Sequence, residues 1–183
     1  YSLRYTPLPL DAQKNNGDGS IENPYRIKTV NDFKRINDEP NAHYIIVNDL
    51  DFMSTPFNGI EANFTGSLNG NNYTIHNLVL ENNALFHSIK DSAVVKNIRI
   101  DAPTLNISDK YISVAIFANN LMGGLIDDGV SENGTSMQSY IQNIHITKPQ
   151  IIATDDFRGI LGGIVGEASF YSNIIDCSLS AAQ

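Results

Sequence analysis

The feature that most limits how this chain can fold is an internal repeat, because a short recurring unit cannot bury its own apolar side and must stack on its copies. Four segments align without gaps: Ile75-His76-Asn77-Leu78-Val79-Leu80, Val95-Lys96-Asn97-Ile98-Arg99-Ile100, Ile141-Gln142-Asn143-Ile144-His145-Ile146 and Ile174-Ile175-Asp176-Cys177-Ser178-Leu179. The first position is aliphatic throughout, the third is Asn, Asn, Asn and Asp, and the fourth and sixth are apolar apart from Cys177. Side chains alternate faces along a strand, so positions four and six are expected inward and position five outward. Upstream, Ala84-Leu85-Phe86, Ala115-Ile116-Phe117 and Gly163-Ile164-Val165 form a second aligned set. Phe86 to Asn97 and Val165 to Asp176 are equally spaced, whereas Phe117 to Asn143 is longer. The surplus falls at about 119–138, where Gly123-Gly124, Asp127-Asp128-Gly129 and Glu132-Asn133-Gly134 predict a long surface loop. Pro103-Thr104-Leu105 and Pro149-Gln150-Ile151 then correspond again.

If the units pair in parallel, about 4.8 Å apart, equivalent residues lie above one another. Asn77, Asn97, Asn143 and Asp176 are then expected to form an inward-facing ladder at a corner, with stacked amides satisfying one another. Asp176 would be its weakest rung, since an ionised carboxylate cannot donate. Such a structural ladder is a simpler reading than four catalytic or metal-binding amides. Near the start, Pro24-Tyr25-Arg26-Ile27 reads as a strand, and Thr29 with Asp32 predicts a capped short helix. Val30, Phe33 and Ile36 share one side of that helix, which is expected to close the end of the apolar core. Residues 1–20 read as an extended lead-in and 21–183 as one repeat domain. No helix pattern follows Leu179, so a further domain of a longer protein, or another subunit, is expected to cover that end.

Composition agrees with an all-β chain. Ile occurs 23 times and Asn 22 times, a mixture suited to short apolar strands and tight polar turns. The chain has 183 residues, 42% of them hydrophobic, which fits one domain with a sizeable core. A net charge of −8 argues against holding nucleic acid through its phosphates. No apolar stretch approaches the roughly 20 residues of a membrane-spanning helix. The opening Tyr1-Ser2-Leu3-Arg4 has no secretory pattern, so an export signal would have to lie outside these residues. The single cysteine, Cys177, excludes an internal disulfide and every multi-cysteine zinc site.

The chain resembles the GLUG-motif β-helix regions of bacterial surface and secreted proteins, among them adhesin-like proteins and the non-catalytic regions of immunoglobulin A-cleaving metalloproteases. The residues that carry the resemblance are Gly17-Asp18-Gly19-Ser20-Ile21-Glu22-Asn23-Pro24-Tyr25-Arg26-Ile27, Asp49-Leu50-Asp51-Phe52, Phe64-Thr65-Gly66-Ser67-Leu68-Asn69-Gly70-Asn71-Asn72-Tyr73-Thr74-Ile75-His76-Asn77-Leu78, and Gly162-Gly163-Ile164-Val165-Gly166. Leu85-Phe86-His87 and Ile116-Phe117-Ala118 stand where the family usually has glycines, and 119–138 is an addition. The resemblance implies a right-handed parallel β-helix in an extracellular or cell-surface protein. It implies no catalytic residue and no cofactor.

The residues offer chemistry of two kinds. Carboxylates that could serve hydrolysis or lyase chemistry are Asp127, Asp128 and Glu132, Asp155 and Asp156 with Arg158, and Asp49 with Asp51, but all sit in turn-like sequence where acids are usually solvated. His43, His76, His87 and His145 lack metal-ligand spacing. The second kind is recognition by a loop on a rigid scaffold. Asp127, Asp128, Glu132 and Asn133 are its candidate contacts, to a host-surface protein or to a glycan, directly or through Ca²⁺. The competing reading is an insertion without function. The expectation is a non-catalytic adhesin-like module, with a polysaccharide lyase or hydrolase as the alternative, or a spacer before a protease or toxin domain.

Overall fold

The computed structural model describes residues 16–126 and 135–181. They form an all-β protein whose three main sheets are parallel throughout. The first sheet holds Tyr25–Ile27, His43–Ile46, Ser67–Asn69, Val94–Asp101, Ser139–Thr147 and Ser172–Ile175, with Leu50–Asp51, Thr74–His76 and Ser178–Ser180 extending its rows. Pro56–Phe57, Val79–Glu81, Thr104–Ile107 and Gln150–Ala153 make the second sheet. The third is Ile60–Phe64, Phe86–Lys90, Ala118–Met122 and Val165–Ser169. The chain visits the sheets in that order and returns to the first, so each circuit adds one layer.

Register puts like on like. Tyr44, Leu68, Val95, Ile141 and Ile174 lie in one column, and Leu50, Ile75, Ile100, Ile146 and Leu179 in another. The alternation read from sequence holds: Ile98, Ile100, Ile144 and Ile146 are buried, and Arg99 is exposed. Four phenylalanines, Phe33, Phe64, Phe86 and Phe117, fill the interior, with centroids 5.3 Å apart for Phe64–Phe86 and 5.7 Å for Phe86–Phe117.

Two registers differ from the sequence alignment. Val95 pairs with Leu68, and Ile100 with Ile75, so 75–80 does not lie over 95–100. The turn Gly70-Asn71-Asn72, with φ +53° and +63° at its asparagines, takes two more residues than the single corner at Asn97, which shifts the numbering within the layer. In the third sheet Phe86 and Val165 both pair with Ala118, one residue beyond Phe117.

The helix Val30–Lys34 has the expected capping box: Thr29 Oγ1 accepts from the Asp32 N–H, and the Asp32 carboxylate accepts from the Thr29 N–H. It continues as a 3₁₀ turn, Arg35–Asn37, and lays fully buried Phe33 and Ile36 against the core. Phe33 meets Phe52 at 5.9 Å and Phe86 at 6.2 Å between centroids. This end is closed. At the other end the same inward columns stand open: Leu68, Val95 and Ile141 are wholly buried, whereas Ile174 is 49% exposed and Leu179 41%. The insertion is rooted in a hairpin, Gly124–Ile126 with Thr135–Met137, antiparallel in an otherwise parallel structure.

Candidate functional site

A cleft arises from a change in connection length. Between the second and third sheets the chain crosses by 58–59, then 82–85, then 108–117, then 154–164. The first crossing is tight: Gly59 has φ +79°, and a Cβ there would collide with the Ala84 carbonyl. The two long crossings reach outward and pair with each other through Ser113–Val114 and Ile160–Leu161. They overhang the short ones, and a cleft of about 550 Å³ lies under the step, lined by Glu61, Glu81 and His87 from the lower layers and by Ile112 and Ser113 from the overhang.

Asparagines fasten its wall. Asn83 Nδ2 donates to the Asn58 carbonyl at 2.7 Å, and Asn83 Oδ1 accepts from Asn119 Nδ2 at 2.7 Å. Asn119 Oδ1 in turn accepts from the Ala115 N–H, and Asn82 Oδ1 accepts from the Ser108 and Asp109 N–H groups at 2.7 and 2.9 Å. These bonds join successive layers and fix the overhang, because buried or half-buried amides are costly to leave unpaired. One oxygen of Glu81 accepts from Asn106 Nδ2 at 2.9 Å. Glu61 and His87 are anchored through backbone alone: the Glu61 N–H donates to Asn37 Oδ1, and the His87 carbonyl accepts from Asn120 Nδ2. Both side chains are exposed and available within the cleft, and no lysine or arginine lines it.

The residues singled out by sequence are distributed as follows. Asp127, Asp128, Glu132 and Asn133 lie outside the described residues. Of the expected ladder, Asn143 Nδ2 donates to Asn97 Oδ1 at 2.9 Å, and Asn97 Nδ2 to Asn69 Oδ1 at 3.0 Å. Asp176 follows in the same corner register, with φ +50° against +59° and +54° for Asn97 and Asn143. Asn77 belongs to a different corner, as a correction to the four-membered ladder: it shares a row with Ala102 and Lys148 and donates to Asp51 Oδ1 at 2.8 Å. That bond, with the Met53 N–H, holds the Asp51 carboxyl below the usual aspartate range. Asp49 accepts from the Thr74 N–H at 2.7 Å, so this acidic pair serves the corner backbone. Asp156 pairs with Lys110 at 2.9 Å, which lowers its carboxyl, while Arg158 donates to the Phe157 carbonyl. Burial pushes the half-buried Cys177 thiol up.

Two features escaped the sequence reading. The cleft was visible only as a steady lengthening of the crossings. The other is a row on the first sheet: His145 Nε2 meets Asn143 Oδ1 at 2.6 Å and His145 Nδ1 meets Ser178 Oγ at 2.7 Å. An amide oxygen only accepts, so the Nε2–H donates to Asn143 Oδ1. His43 and Ser67 repeat the 2.7 Å bond directly across strands, which makes it a cross-strand pairing of this face. Among the described residues no three His, Cys, Asp or Glu side chains are placed to hold a metal ion.

These features define an all-β protein of stacked parallel layers with an amide-walled lateral cleft. Among curated proteins the chain is similar to halomucin of Haloquadratum walsbyi, 25% identical over 174 residues, covering 84% of this chain. The chain spans about 2% of that protein's length. No family model matches it, and no solved structure matches it. Among the described residues no helix is long and apolar enough to cross a membrane.

Proposed function

We propose that the chain is a right-handed parallel β-helix module of a surface-exposed, extracellular protein of the GLUG-motif type, acting without catalysis to attach that protein to a host surface or glycan. The observation that carries this reading is the parallel register of like residues from layer to layer in the first sheet, which fits a stiff body with a cleft on its flank. The partial match to halomucin fits a module within a longer chain. A polysaccharide-acting enzyme is the second reading, favoured by the two carboxylates Glu61 and Glu81 sharing the cleft. The two separate on one bench. The immobilised chain is offered to host cells and to a polysaccharide panel that includes pectin and alginate, while the solution is assayed for new reducing ends and unsaturated uronates. Saturable binding without turnover is expected. Turnover that disappears in Glu61→Gln or Glu81→Gln would establish the enzyme instead.

A further inference from the structure

Resting on the binding-module reading above, we infer that the ligand of the lateral cleft is an uncharged, hydroxyl-rich saccharide. The charge in the lining is all of one sign: Glu61 and Glu81 contribute carboxylates, no lysine or arginine faces them, and the chain as a whole carries −8. A uronate or sulfated chain would be repelled there. The groups left over suit vicinal hydroxyls. Glu61 and the second oxygen of Glu81 accept, and the His87 ring nitrogens offer further hydrogen bonds. Asn82 and Asn83 keep a second N–H each beyond the one used in the wall. A peptide strand finds little to add to, because Val79–Glu81 and Phe86–Lys90 are each paired on both sides and the one open edge, Ser113–Val114, is two residues long. A lone cation is equally unsuited, since among the described residues no three ligating side chains converge.

The test titrates the whole chain with neutral hexose and N-acetylhexosamine oligosaccharides, with polygalacturonate and heparin fragments as anionic counterparts, by calorimetry at two salt concentrations. Binding of a neutral oligosaccharide with little salt dependence is expected. Glu61→Gln and His87→Ala, both exposed positions, should each weaken it about tenfold, the scale of one lost charged or buried hydrogen bond, without changing the melting temperature. Glu61→Lys should admit polygalacturonate. Neutral binding unchanged in all three variants would overturn the inference and leave the module reading intact. Exclusive binding of the anionic oligomers by the wild-type chain would do the same. Failure to bind any saccharide or any host cell would sink both.

Discussion

At a strand corner the backbone must turn with a positive φ, and a side chain there pays for the conformation unless it finds a bond in return. Left-handed backbone costs an ordinary L-residue roughly 1–2 kcal/mol, and Asn tolerates it better than most. Asn97 and Asn143 meet both demands, with φ of +59° and +54° and an amide bond of 2.9 Å between them. Asn143→Ala removes its side-chain bonds to Asn97, Asn72 and His145 together with the tolerance, and should cost more than Asn143→Gly, which removes the bonds alone, by about 1 kcal/mol. Urea melts of the two variants check the ranking, and equal losses would show that the backbone contributes nothing. Asp51 gives the electrostatic counterpart. Its carboxyl is lowered chiefly by the Asn77 bond and then by the Met53 N–H. A depressed folded-state value means that the unfolded chain binds the proton more readily. The contribution of Asp51 is therefore complete above the ordinary aspartate range and fades as pH falls through its lowered value. In Asn77→Ala the Asp51 carboxyl should titrate closer to an ordinary aspartate, as followed by carbon NMR. Titration at an unchanged pH would place the cause elsewhere.

The capping helix is short, so its own propensity cannot hold it and packing must. Phe33 is fully buried against Phe52, Phe57 and Phe86, whereas the Thr29–Asp32 box is exposed. Phe33→Ala should then cost about 3–5 kcal/mol and Thr29→Ala about 1 kcal/mol in denaturant unfolding. Similar losses would mean that the cap, not the aromatic plug, closes this end. The element was legible in the sequence because Thr29, Asp32, Phe33 and Ile36 express it locally. The inward and outward alternation of Ile98, Arg99 and Ile100 was legible for the same reason. Register was harder. The third-position asparagines looked equivalent, yet Asn77 and Asn97 turn different corners, because both corners need a left-handed residue and Asn answers both. The cleft was hidden further still: it depends on one layer's crossing overhanging another's, and only the correct register reveals which crossings lie above which.

Over the described residues as a whole the two ends of the stack are unlike, and this sets how stability is distributed. Parallel layers depend on nearest neighbours, so a layer covered on one side is held by half the contacts of one covered on both. The Phe33 end is plugged, whereas Ile151, Ile160, Leu161, Ile174 and Leu179 stand partly exposed on the final layer. Their equivalents one layer below, Leu105, Ser113, Val114, Ile141 and Ile146, are buried apart from Ser113, which is half-buried. The same layer carries Phe170 and Tyr171 at φ +38° and +49°, exposed and in backbone that bulky side chains avoid, which lowers its local stability further. Hydrogen exchange of the isolated chain should therefore be graded along the stack. Amides of Val165–Ser180 should exchange fastest, and those of Val94–Asp101 and Phe86–Lys90, each flanked by a layer on both sides, should exchange slowest. Diluting the protein gives the control, because the gradient belongs to a single chain and is independent of concentration. Terminal amides as well protected as the central ones, with protection that falls on dilution, would show instead that a second copy covers the open face.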